Sequence, residues 1–233
     1  MINPSLAALS RLCTVGVLLA LVGACSALRS TAMLPPSFYS LDSAKIEAGA
    51  ARHPPASTSV AAPTLIVSPP HASAGFDSQR IAYVREAHKL DYFAHAEWVD
   101  TPARMLAPLI VAAVESSGAF RSVVLTPTAA AGDLRVDSEI VRLQQDFASQ
   151  PSRARFTLRA YVMDSTTRRV LAWRVFDESV AAASDDPYGG VVAANRAVQT
   201  VLEQLAVFCA TAAGQRQATA AKGETPASND ARR

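Results

Sequence analysis

The sequence predicts an α+β fold: a mostly antiparallel sheet with two amphipathic helices packed on one face. Three observations lead there. Residues 153–163 alternate strictly, with Ala154, Phe156, Leu158, Ala160 and Val162 on one side and Arg153, Arg155, Thr157, Arg159 and Tyr161 on the other; this is the period of a half-buried strand. Met105, Leu106, Leu109, Ile110, Ala113 and Val114 recur at three and four residues, the stripe of an amphipathic helix. A second such stripe, Val191, Val198, Val201, Leu202, Leu205 and Phe208, lies near the C-terminus. Strand blocks and helices that segregate in this way build a layered α+β domain.

In chain order, Pro63 to Ser68 is a short apolar strand, and Pro69-Pro70 and then Gly75 break the chain after it. Ile81 and Tyr83 belong to a strand, Glu86 to Lys89 to a polar turn, and Leu90 to Trp98 to an aromatic strand. Asp100 or Thr101 is placed to cap the first helix, because its side-chain oxygen can accept from the first free amides. Pro102 then stands where its missing N–H costs nothing, and Gly118 is suited to a left-handed C-terminal cap. Pro108 removes one helical hydrogen bond and predicts a kink. Phe120 to Leu125 begins the next strand.

In 134–147 the apolar positions Leu134, Val136 and Ile140 give way to Val141, Leu143 and Phe147. A change of parity within one strand is the effect of a β-bulge, expected near Ile140. Asp164 to Arg169 is a turn, and a third strand carries Leu171, Trp173 and Val175 with Arg174 pointing the other way. These strands form an antiparallel meander with one wet face. Ser184-Asp185-Asp186-Pro187 opens the last helix by a cap and a first-turn proline, and the Gly189-Gly190 pair predicts a later true start. From Gly214 onward the sequence is polar without periodicity, so 214–233 is expected to be a disordered tail.

The formal net charge is only +2, too small to argue for a nucleic-acid partner. The four histidines, 53, 71, 88 and 95, have no cysteine or carboxylate at metal-ligand spacing. Phosphate-loop, dinucleotide and serine-elbow patterns are absent. Asp185-Asp186 reads more simply as a helix cap than as a catalytic pair. No catalytic residue, metal or cofactor is expected, and the protein is read as a non-enzyme.

Of the three cysteines, Cys13 and Cys25 lie in the N-terminal region, and Cys209 lies on the apolar side of the last helix as a small buried hydrophobe. Residues 12–24 form an apolar run shorter than the ~20 residues a spanning helix needs, with Arg11 before it, so 1–24 reads as a signal peptide. The end of that run, Leu21-Val22-Gly23-Ala24-Cys25, resembles a bacterial lipobox. That resemblance implies cleavage before Cys25, thioether diacylglycerol on its sulfur and acylation of its amine. Ser26, in place of an aspartate, points by analogy to the periplasmic face of the outer membrane rather than the inner membrane. Residues 25–36 form a tether, 37–213 the folded body, and the Ala/Pro-rich 43–62 a flexible loop of span roughly 25 Å.

The tyrosine-bearing strand, the polar turn, the aromatic strand ending in Trp98 and the Pro102-initiated helix ending in Gly118-Ala119-Phe120 resemble the ABC-type transport auxiliary lipoprotein family. The resemblance covers residues 37–42 and 63–210. It places a short first strand at Ser37–Asp42. It also implies a lipid-anchored accessory component of an Mce-type (mammalian-cell-entry) lipid-transport system. The expected partners are an Mce-domain subunit with its permease and ATPase, or a further copy of the chain. The alternative is an outer-membrane assembly lipoprotein supporting a barrel or a glycolipid exporter.

Two kinds of contact residue follow. Arg142, Arg153, Arg155, Arg159 and Arg174 are expected on the outer face of the meander, either as a solvated sheet face or as a basic surface for lipid headgroups or an acidic partner. Trp98 is either core or part of a protein interface.

Overall fold

A computed structural model describes residues 35–42, 62–127 and 130–223, with side chains to residue 218. Nine strands and two helices are present among them. The strands are β1 (Ser37–Tyr39), β2 (Thr64–Val67), β3 (His71–Ala72), β4 (Arg80–Val84), β5 (Asp91–Trp98), β6 (Ser122–Leu125), β7 (Leu134–Asp146), β8 (Arg153–Asp164) and β9 (Val170–Ala181). The helices are α1 (Pro102–Glu115) and α2 (Pro187–Gly223).

The long β7 is the spine. One of its edges carries β8, antiparallel over its whole length, and β9 continues that sheet. Along the other edge lie β2, β3 and β4 in succession, all parallel to β7. Pro69-Pro70 and Gly75 divide that edge into three pieces. Outward from β2 lies β6, and outward from β4 lie β5 and then β1.

The sheet is therefore mixed, not mostly antiparallel as the sequence predicts. The parallel β2–β6 pair is closed by a connection that runs through β4, β5 and α1, the long crossover that parallel strands require. The local signal of this arrangement is the unbroken run Thr64-Leu65-Ile66-Val67, buried at every residue, as a strand covered on both faces should be. The bulge does form, between Ile140 and Arg142. It lets Leu134, Val136 and Ile140 on one side of it and Leu143 on the other all reach the core.

Both helices cover the face formed by the buried parity of β7 and β8. α1 packs near β2, β3 and β6, α2 spans β7, β8 and β9, and the helices also touch each other. Pro102 stands at the first turn and Thr101 at the N-cap position without a capping side-chain bond, while Asp100 Oδ1 accepts from the Thr101 amide at 2.7 Å. Asp100 also pairs with Arg104 one turn on. Pro108 lies inside α1 on an exposed position and does not end the helix. Gly118 takes φ +64° just beyond the C-terminus, the left-handed conformation expected of it.

In α2, Asp186 Oδ1 accepts from the Gly189 amide at 2.7 Å, an N-cap bond immediately before Pro187. The glycine pair does not delay the helix. Its role is clearance: a Cβ on Gly189 would lie 2.3 Å from the Ser184 carbonyl oxygen, and one on Gly190 would lie 2.1 Å from Gln145 Oε1. Residues 214–223, expected to be part of a disordered tail, continue α2. Arg216 holds that extension, its Nε donating to Asp164 Oδ2 at 2.7 Å and its Nη1 lying 3.8 Å from Asp133. By length and composition Pro187–Ala218 could cross a membrane, but Val198, Val201, Leu202, Leu205 and Cys209 of that stretch are buried in this core.

Candidate functional site: the outer face of the sheet

The face of β7, β8 and β9 away from the helices gathers most of the residues singled out by the sequence. Glu139 is its central acid. Its Oε2 accepts from Arg159 Nη1 at 3.0 Å and its Oε1 from Ser73 Oγ at 2.9 Å, so one carboxylate on β7 joins β8 and the residue that follows β3. Arg155 lies 3.5 Å from Asp146 and 4.0 Å from Asp177. Arg153 donates from Nε to Ser179 Oγ at 2.9 Å and from Nη2 to the Ser179 carbonyl at 2.7 Å. The pairing register explains this order, since Glu139 faces Arg159, Asp146 faces Arg153, and Thr157 faces Asp177 across neighbouring strands. Arg155 and Arg159 are thus neutralised locally, the arrangement of a solvated sheet face with cross-strand charge pairs.

Arg174 is not where the sequence places it, and Trp98 takes the first of its two readings. Arg174 pairs with Ala160 and stands on the helix side, its guanidinium 5.0 Å from the Phe176 ring. Phe176 beside it is buried and packs edge-on against Phe208 of α2. The inward anchor of β9 is therefore Phe176, and the parity it fixes turns Trp173 and Val175 outward. Trp98 is only 3 % exposed, within the cluster that includes Ile81 and Val191, so it is core and not a contact residue.

The outward residues of β9 form an apolar strip that sequence reasoning missed. Trp173 is 63 % exposed, and Val170, Leu171 and Val175 are exposed beside it. Trp173 stacks on Tyr161 of β8 with ring centroids 6.4 Å apart and planes 26° from parallel. The available signal was parity: Asp177 and Ser179 share the alternation of Trp173 and Val175, whereas Phe176 shares that of Arg174.

Three titrating groups outside the strip are perturbed. Asp164, in the turn between β8 and β9, has its pKa lowered to about 2, chiefly by the Thr167 amide and then by Arg216. Hydrogen bonds from Ser152 hold the Asp185 carboxyl below the usual carboxylate range. Burial pushes the Cys209 thiol up to about 12, so it is an inert core residue. Among the described residues no three His, Cys, Asp or Glu side chains gather as metal ligands. Cys25, the expected lipidation site, and the signal peptide lie outside the described residues, as do most of the tether and positions 43–61 of the 43–62 loop.

The model of the family described as "ABC-type transport auxiliary lipoprotein component" matches residues 39–206. The chain belongs to that family. The auxiliary lipoprotein shares its fold with a Xanthomonas campestris protein of the DUF330 family, known from a crystal structure. The two are 24 % identical, with TM-score 0.65 over 78 % of this chain and 99 % of the other. A second crystal structure, of an uncharacterized protein, is 10 % identical with TM-score 0.57, over 74 % of this chain and 97 % of its own. No curated protein matches the auxiliary lipoprotein. The matched region takes in the last residue of β1, all of β2 to β9, α1 and α2 as far as residue 206, so family membership rests on the body described above and not on the N-terminal leader.

Proposed function

We propose that this auxiliary lipoprotein is a lipid-anchored periplasmic accessory component of an Mce-type intermembrane lipid-transport system, working by protein–protein contact without catalysis of its own. Acylated Cys25 would hold it at the periplasmic face of the outer membrane, residues 25–36 would provide reach, and the folded body would engage the Mce-domain subunit. ATP hydrolysis would belong to the ATPase that serves the permease. Family membership supports the transport role. The observation that carries the contact mode is the β9 strip, where Trp173, Val170 and Val175 face water beside the charge-paired residues of β7 and β8. Contiguous exposed apolar surface with a polar rim is characteristic of protein contact.

The test is co-purification of the full-length lipoprotein from native membranes, followed by identification of the Mce-domain subunit, the permease and the ATPase. The native chain is expected to recover them, with Cys25 acylated at its mature N-terminus. Trp173→Asp combined with Val175→Asp should reduce recovery at least tenfold with an unchanged circular-dichroism spectrum, since both side chains are exposed. Recovery of none of the three by the native chain, or equal recovery by the variant, would overturn the proposal.

A further inference from the structure

A second feature on the same face points to a small-molecule ligand. At the end of the sheet where β2, β7 and β8 meet, a groove of 560 Å³ opens to solvent, lined by Ile66, Gly132, Arg135, Met163, Ser165 and Arg168 among others. That volume lies within the roughly 300–1,000 Å³ of small-ligand sites. Its floor is apolar: Ile66 of β2 and Met163 of β8 flank β7, where each is paired with Arg135 in the register.

The walls of the groove are braced from behind. Arg216 of α2 pairs with Asp133, next to Gly132 of one wall, and with Asp164 of the other. Asp133 also accepts from the Thr64 amide at 2.8 Å and its own amide donates to the Thr64 carbonyl at 2.9 Å. Asp164 Oδ1 accepts from the amides of Thr166 and Thr167, which fixes the opposite turn. Gly132 allows its wall to close on the floor, since a Cβ there would lie 2.3 Å from Ile66 Cγ1.

The two cations at this site are not used by that bracing. Arg135 has one long contact, 3.8 Å to Asp137, and Asp137 in turn accepts from Ser68 Oγ. Arg168 is exposed and sits at φ +58° in the turn, a backbone conformation that glycine adopts without strain and arginine does not. A strained arginine at the rim of a groove, where glycine would be the relaxed choice, is an outlier of the kind found at binding sites.

We infer that this groove binds an anionic amphiphile, with an alkyl chain lying over Ile66 and Met163 and a phosphate or carboxylate head held by Arg135 and Arg168. Charge complementarity decides the head group. The Asp164 carboxylate is already occupied by three donor residues and Asp137 shares its charge with Ser68, so Arg168 and the loosely paired Arg135 set the sign of the site, and guanidinium suits the planar and tetrahedral oxyanions alike. The apolar floor decides the tail. The inference does not rest on the identity of any transport partner.

The test uses full-length protein in phosphatidylcholine nanodiscs, labelled with ¹³C at the methionine methyls. Met163 lies in the groove, and Met105 of α1, packed on the core beneath the opposite face, serves as the internal reference. Octyl phosphate should shift the Met163 signal saturably and leave Met105 in place. Arg135→Gln with Arg168→Gln should weaken that response at least tenfold. Arg168→Gly should also weaken it while preserving the turn, because glycine suits the φ observed. Inorganic phosphate and octyl glucoside should each fail to reproduce the shift. An equal response to octyl glucoside would remove the anionic head from the proposal, an equal response to phosphate would remove the chain, and no response to octyl phosphate would remove the site.

Discussion

Replacing Asp164 by asparagine tests whether the turn between β8 and β9 is held by charge. One carboxylate oxygen accepts from the Thr166 and Thr167 amides and the Thr167 hydroxyl, at 3.0, 2.8 and 3.1 Å, and the other from Arg216 at 2.7 Å. These contacts lower its pKa from 3.8 to about 2. At ~1.4 kcal/mol per pH unit this depression corresponds to about 2.5 kcal/mol. The side chain is 11 % exposed but sits in a surface turn, so solvent screening makes this figure an upper bound. The folded-state pKa lies below the unfolded one, so the stabilisation is complete above pH ~4 and disappears as the pH falls toward 2. Urea unfolding of the native chain and of Asp164→Asn should differ by about 1–2.5 kcal/mol at pH 7, and most of that difference should be gone at pH 2. Comparing the two proteins cancels the other carboxylates. A difference that stays constant from pH 7 to pH 2 would refute the electrostatic argument and leave only the shape of the turn.

Two further outcomes follow from packing. Gly190→Ala forces the Gln145 side chain, buried and donating to Ser152 Oγ at 2.8 Å, out of its position, so urea unfolding should show a loss of about 2 kcal/mol. Adding Gln145→Ala should recover at least half of the clash in a double-mutant cycle, and strictly additive losses would show that the two residues do not meet. Cys209, fully buried with a raised pKa, should resist iodoacetamide at pH 8 in the native protein and react fully in urea, as read by mass spectrometry of its own peptide. Rapid native labelling would mean that the C-terminal half of α2 opens readily.

How much was legible depended on the distance over which each feature is decided. The left-handed Gly118, the Asp186-Pro187 start of α2, the bulge at 140–142 and the two faces of β8 are visible in the sequence. Each of them follows from the steric and hydrogen-bonding chemistry of a few adjacent residues. The Gly189-Gly190 pair was misread because intrinsic helix propensity gave no indication of Gln145 and Ser184 pressing on those Cα atoms. The apolar strip on β9 was missed for a related reason. Alternation shows that Trp173 and Arg174 point to opposite sides, but the register against β8 and the burial of Phe176 beneath Phe208 choose which side is outside.

The sequence by itself determined the periods, caps and breaks, and through them the number and kind of most elements, because these depend on local backbone sterics and on the spacing of apolar side chains. The tertiary structure alone decided that the sheet is mixed, which of its two readings Trp98 takes, that Arg174 stands apart from the other arginines, and that α2 continues past Gly214 to an arginine bridging two loops. Strand direction, the choice of the wet face and long-range ion pairs are settled by free energy shared between segments dozens of residues apart, which no local pattern contains.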